Sequence, residues 1–228
     1  MFVGFRPSAC TSTTMVERLL QQFARAPVVG RVKTRLQASL SPQEACDVHR
    51  ELVAFTAQRL LASELAPVEL WVAGERQAPL FAQCRQAGVA AIESQPEGDL
   101  GQRMHSALGA GLGRARHVCL VGSDCPFLDR PYLETAFAQL DSHDLVLGPA
   151  LDGGYVLIGA SRELPRALFS GVEWGSARVL AQTLERAEDS GLSYALLEPR
   201  RDIDRPEDLA FWENLKAAEG LAPSPKRG

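Results

Sequence analysis

The sequence predicts a single α/β domain with a mostly parallel sheet covered by helices on both faces. Three observations lead there. Strand-like and helix-like apolar segments alternate almost from end to end, the pattern of a parallel sheet with crossover helices. Residues 117–122 form a nearly continuous apolar run, as a strand buried on both faces requires. No internal repeat and no long linker divides the 228 residues, a length that suits one domain with a full core.

The elements follow in order. Residues 19–24 read as the first strand, preceded by a polar leader (residues 1–14), with Met15 as a candidate start of the native chain. Ser41, Pro42 and Glu44 supply a cap, a first-turn proline and a capping-box acid; Ala45, Val48, Leu52 and Phe55 then recur at helical spacing. Pro67 stops that helix, and residues 68–73 read as a strand. Residues 80–87 form a short helix closed by Gly88, residues 89–92 a strand, residues 102–112 a helix and residues 131–140 another. Residues 145–147 and 155–158 are strands. A long amphipathic helix is expected over 176–190, a late strand over 194–197 and a last helix over 206–219. The domain is thus expected to span 15–219, with a disordered tail over 220–228 that is rich in Pro, Ser, Lys and Gly.

Composition bounds the function. Hydrophobic residues at 46% and charged ones at 23% are ordinary for a globular protein. A net charge of −4 gives no electrostatic reason to expect nucleic acid or an anionic membrane as partner. No apolar run could span a bilayer and no signal peptide is evident, so a cytoplasmic location is expected. The five cysteines are odd in number and scattered, which suits free thiols better than disulfides or zinc.

In open α/β sheets ligands sit beyond the carboxyl ends of the strands, and five loops there carry unusual residues. The first, APVVGRVKTRL, holds Arg31, Lys33 and Arg35, with Arg25 just before it and Pro27 and Gly30 shaping it. It can wrap phosphates with backbone N–H groups, a lysine charge and arginine forks, or be a solvated basic loop. It lacks the P-loop spacing, and the glycines 109, 111 and 113 lack that of a dinucleotide fingerprint. The second, VGSDCP, brings Asp124 out at the end of a buried strand, placed for a cation or for a turn. The third, Asp152-Gly153-Gly154, reads on turn chemistry as a hairpin. In the fourth, Gly98 and Gly101 bracket Asp99, with Arg103 one turn on; Asp99 is a candidate ligand contact or a helix cap. In the fifth, Asp204 and Glu207 make a helix start, whereas Asp202 is left free to face a ligand. The four histidines show no metal-ligand spacing and receive no role. Cys125 lacks a base nearby in sequence, and Trp71, Trp174 and Trp212 read as core or pocket wall.

Six motifs in order (APVVGRVKTRL, QPEGDLGQRM, VGSDCP, GPALDGGYVLIG, VEW and DIDRPEDL) resemble the bacterial family known as selenodomain-associated transferase 1, some of whose members are assigned to arsenosugar biosynthesis as glycosyltransferases. More distantly, the chain is similar to the molybdopterin-guanylyltransferase and phospholactate-guanylyltransferase group. The resemblance covers residues 19–212. It implies a GT-A or nucleotide-diphospho-sugar transferase fold that uses Mg²⁺ or Mn²⁺. It implies Ala24, Arg25, Pro27, Gly30, Lys33, Arg35, Gly98, Asp99 and Arg103 around the nucleotide. Asp124 with Asp202 and Asp204 would hold the metal, and Asp152, Gly153, Gly154 and Trp174 would meet the acceptor. Asp124, Asp152 and Asp99 are the catalytic candidates, either of the last two accepting the acceptor's proton. Val29 departs from an expected proline, and Gly175 from a hydroxyl residue whose contact Ser176 can replace.

The reaction expected first is sugar transfer from a nucleotide-diphospho-sugar to a small-molecule acceptor. The alternative is nucleotidyl transfer from a nucleoside triphosphate with release of pyrophosphate, and a third is a non-catalytic nucleotide-binding subunit. The base, sugar, acceptor and oligomeric state are not legible.

Overall fold

The computed structural model describes residues 15–221, so the expected leader and all of the expected tail beyond residue 221 lie outside the described residues. The strands are β1 (Val16–Arg25), β2 (Val68–Ala73), β3 (Ala91–Ser94), β4 (Ala115–Val121), β5 (Leu145–Pro149), β6 (Tyr155–Ala160) and β7 (Tyr194–Leu196). The helices are α1 (Pro42–Ala62), α2 (Pro79–Ala87), α3 (Leu100–Leu112), α4 (Arg130–Leu140), α5 (Val179–Asp189) and α6 (Leu209–Ala218). One sheet runs β3-β2-β1-β4-β6-β5-β7. All neighbours are parallel except β6, which is antiparallel to both β4 and β5. The expected α/β class and mostly parallel sheet are therefore observed.

The helices cover both faces because the strands are apolar on both. One core packs α1, α2 and α4 on the sheet through Val53, Leu60, Phe81, Leu133 and Phe137. The other packs α3 and α5 through Met104, Leu108 and Ala187, with Leu168 and Phe169 from the connection before α5. Each fully buried large side chain of this kind contributes roughly 1.5–3 kcal/mol. A smaller core joins α1 to α6, where Trp212 meets Phe55 edge-on at 5.2 Å between ring centroids. Among the described residues no helix is long and apolar enough to cross a membrane.

Local chemistry sets most boundaries. Ser41 and Glu44 form the reciprocal capping box that opens α1. Gly88, at φ 120°, closes α2. Three expectations are corrected. β3 begins two residues later than expected, at Ala91. The helix expected from Ser176 begins at Val179, because the segment before it turns over the β5–β6 hairpin: the N–H of Leu180 donates to the carbonyl of Gly153. Asp204 does not cap the last helix. Arg205 holds the N-cap position of a single 3-10 turn, Pro206–Asp208, that leads into α6, and the Asp208 carboxylate reaches back to accept the N–H groups of Arg205 (2.9 Å) and Asp204 (3.2 Å).

Candidate active site

Reversal of β6 puts the β5–β6 turn at the same end of the sheet as the carboxyl ends of β1, β2, β3, β4, β5 and β7. Loops from remote parts of the chain thus converge on one cleft of about 830 Å³, a volume suited to a nucleotide-sized ligand. Five cations (Arg25, Arg31, Lys33, Arg35, Arg103) and five carboxylates (Asp99, Asp124, Asp152, Asp202, Asp204) line it.

Lys33 is the centre of this arrangement. Its side chain is only 3% exposed, and its ammonium lies 2.8 Å from Asp124 Oδ1 and 3.6 Å from Asp204 Oδ1. It also donates to the Ile203 carbonyl. The backbone at Lys33 is left-handed (φ 47°, ψ 41°), a conformation that costs a non-glycine residue about 1–2 kcal/mol and is held by those contacts. Arg35 pairs with Asp204 at 2.5 Å, which is why Asp204 is not available as a cap. Asp124 and the 202–204 segment are fixed to each other by the backbone as well, since Ile203 N–H donates to the Asp124 carbonyl.

Beneath Asp124 lies a buried polar floor. Gln22 donates from its amide to Ser123 Oγ (2.8 Å) and to the Val53 carbonyl of α1 (3.0 Å), while Ser123 Oγ donates to the Phe23 carbonyl. His49, also buried, binds the Arg25 carbonyl through Nε2 at 2.9 Å. Burial lowers the His49 pKa, so the neutral ring, with Nε2–H as donor, fixes the end of β1. The same desolvation acts the other way on Asp202: burial, reinforced by the charge of Asp152 and then of Asp204, pushes its carboxyl up to about 6.

Most of the site residues expected from sequence meet here, and a few do not. Asp99 lines the cleft and also caps α3, with Oδ1 accepting the Gln102 N–H. Asp152 stands at the hairpin tip, where its Oδ1 accepts the Gly154 N–H. Arg103 braces the Gly98 carbonyl through Nε. Arg25, Arg31 and Arg103 make no ion pair among the described residues. Ala24, Gly98, Gly154 and Trp174 line the cleft, whereas Pro27, Gly30 and Gly153 do not. Gly30 supplies a positive-φ turn (77°), and Gly153 is a packing position, since a Cβ there would lie 2.2 Å from the Ala177 carbonyl. Cys125 carries no nucleophile: burial pushes its thiol up to about 12. Its fellow cysteines 46, 84 and 119 are buried and free. Trp71 and Trp212 are core residues.

Sequence reasoning passed over His49, Gln22, Ser123 and Gln95, whose amide donates to the Ala24 and Trp71 carbonyls. For His49 a signal existed: Ala45, His49, Leu52 and Thr56 share one buried stripe of α1, so polar groups on it need partners.

A divalent cation needs oxygen ligands. Among the described residues no group of three His, Cys, Asp or Glu side chains is arranged to hold a metal by itself. A cation that keeps waters and phosphate oxygens requires only one or two carboxylates, and Asp124 and Asp204, with crowded Asp202, fit that need.

Residues 56–176 match the family described as "Uncharacterized protein conserved in bacteria (DUF2064)". No curated protein is significantly similar in sequence. Among solved structures, the chain is similar to a protein of Desulfovibrio desulfuricans G20 provisionally described as a nucleotide-diphospho-sugar transferase: 29% identity, TM-score 0.77, covering 89% of this chain and 88% of that one. The fold is shared with the inositol-1-phosphate CTP transferase of T. maritima (16% identity, TM-score 0.61, 92% and 99% covered). It is shared also with 4-diphosphocytidyl-2C-methyl-D-erythritol synthase of Anaerococcus prevotii DSM 20548 (10% identity, TM-score 0.59, 86% and 96% covered).

Proposed function

The chain belongs to the bacterial DUF2064 family, and from that premise we propose that it is a nucleotide-dependent transferase passing a sugar from a nucleotide-diphospho-sugar to a small acceptor. One observation carries this reading: a buried lysine joins carboxylates from two remote loops, beside arginines that make no ion pair among the described residues, above the carboxyl ends of a doubly covered sheet. The likeness to the Desulfovibrio protein supports the same class. The six ordered motifs support the narrower selenodomain-associated transferase 1 group, and a cytoplasmic site of action is part of the proposal.

In this reading Arg25, Arg31 and Arg103 receive the phosphates, their forks matching phosphate oxygens. Asp124, Asp204 and Asp202 would hold Mg²⁺ or Mn²⁺, which supplies neutralisation of the departing diphosphate. Trp174 forms the wall against which the acceptor rests. Asp152 or Asp99 takes the acceptor's proton; both line the cleft, and each also accepts one backbone N–H, from Gly154 and Gln102 respectively. Neutral His49 holds the Arg25 carbonyl and keeps the phosphate loop in register.

Nucleotidyl transfer from a triphosphate is the second reading, favoured by the number of cations that line the cleft. Incubation with sugar nucleotides and nucleoside triphosphates, each with Mg²⁺ or Mn²⁺ and candidate acceptors, separates the two. Release of nucleoside diphosphate is expected; pyrophosphate would establish the second reading. If neither appears and no nucleotide shifts the melting temperature, both are refuted.

A further inference from the structure

Lys33 does more than line the cleft. Its ammonium sits among three oxygens, Asp124 Oδ1, Asp204 Oδ1 and the Ile203 carbonyl. Two carboxylates and a backbone carbonyl are the ligand types a hard divalent cation selects. The side chain is almost fully buried, whereas Asp124 is 48% exposed and Asp204 26%, so both carboxylates keep a face open to the cleft. A chain in the left-handed region at Lys33 turns this side chain inward, while the exposed Arg25 and Arg31 remain at the mouth.

We propose that the Lys33 ammonium is a resident stand-in for the divalent cation. In the ligand-free protein it gathers Asp124 and Asp204 and, together with the Arg35 guanidinium on Asp204, balances their charge; when the cation arrives with a nucleotide, the ammonium yields the carboxylates and moves to the phosphates. The proposal rests on the transferase reading above. Two consequences follow from charge alone. The cation binds weakly by itself, because it must displace a bound ammonium. Cation and nucleotide bind cooperatively, because the nucleotide gives the displaced ammonium new partners.

Binding of Mn²⁺ without nucleotide, followed by electron paramagnetic resonance, tests this on the full chain. Removing a unit positive charge this close to the carboxylates should tighten Mn²⁺ by about tenfold or more in Lys33→Met, and should abolish the dependence of Mn²⁺ affinity on added nucleoside diphosphate beyond direct phosphate ligation. Unchanged or weaker Mn²⁺ binding in a folded Lys33→Met overturns the proposal. The wild-type protein gives a second measurement that needs no variant. The chain has three lysines, Lys33, Lys216 and Lys226, so acylation of each is readily followed by mass spectrometry. Saturating Mn²⁺ should raise acylation of Lys33 severalfold and leave Lys216 unchanged, and added nucleoside diphosphate should protect Lys33 again. A Lys33 that is equally protected with and without Mn²⁺ overturns the exchange. Should Mn²⁺ affect neither nucleotide binding nor Lys33, the transferase reading loses its cation; should Mn²⁺ and nucleotide bind together while Lys33 stays in place, only the stand-in role falls.

Discussion

The N–H of Ile203 donates to the carbonyl oxygen of Asp124 at 2.8 Å. That single bond ties the turn after β4 to the turn before α6, the two segments that carry Asp124 and Asp204. Substitutions that leave this backbone bond alone should therefore report on chemistry rather than on folding.

Asp124→Asn removes a charge and keeps the shape. Turnover is expected to fall by at least about 10²-fold, the scale seen when a preorganised electrostatic contact is lost. Nucleotide binding measured in chelator should change little, and far-ultraviolet circular dichroism should be unaltered. Retention of full activity would remove Asp124 from the site.

Asp202 makes the stability of the metal-free protein depend on pH. Its carboxyl lies near 6 in the fold against about 3.9 in an unfolded chain, so the folded state binds the proton more tightly. The stabilisation is complete below the unfolded value and is lost as pH rises through about 6. Asp202→Asn should consequently flatten the decline in melting temperature across that window and melt higher than wild type at pH values above it. Thermal melts in chelator on both sides of the window check this; parallel curves would refute it.

Gly153→Ala places a Cβ 2.2 Å from the Ala177 carbonyl in a backbone at φ 93°. A loss of roughly 2–3 kcal/mol in denaturant unfolding is expected. Because Ala177 belongs to the segment that carries Trp174, the fluorescence of that tryptophan should shift and acceptor KM should rise more than nucleotide KM.

Cys125→Ala should keep turnover within a few-fold while costing roughly 1 kcal/mol of stability, since the thiol is buried and protonated. Rapid inactivation of the wild type by a thiol reagent under native conditions would contradict this.

The elements most legible in the sequence were those whose ends are written in local chemistry. Ser41, Pro42 and Glu44 announced α1, and the alternation of apolar runs announced the sheet. What was not legible depended on partners remote in the chain. Ser176 begins no helix because its segment is drawn over the hairpin at Gly153. Asp204 looked like a cap from its neighbours, yet Arg35 and Lys33, on another loop, claim it, and the N-cap position falls to Arg205 with Asp208 reaching back to its N–H. The site showed the same division. Charged loops were visible one by one, whereas His49, Gln22 and Ser123 acquire their roles only through carbonyls and hydroxyls that the fold brings alongside.

The hairpin between β5 and β6 has a lasting implication. Parallel neighbours such as β1 and β2 are tied by helical crossovers, whereas β5 and β6 are joined by a short tip that is anchored at Gly153 by the Leu180 N–H yet exposes other side chains. Leu151 and Asp152 sit on such a tip, both exposed. Descendants of this chain can thus vary the exposed side chain at Leu151, and under the proposed transferase reading the acceptors it meets, while the loop carrying Arg31 and Lys33 stays unaltered.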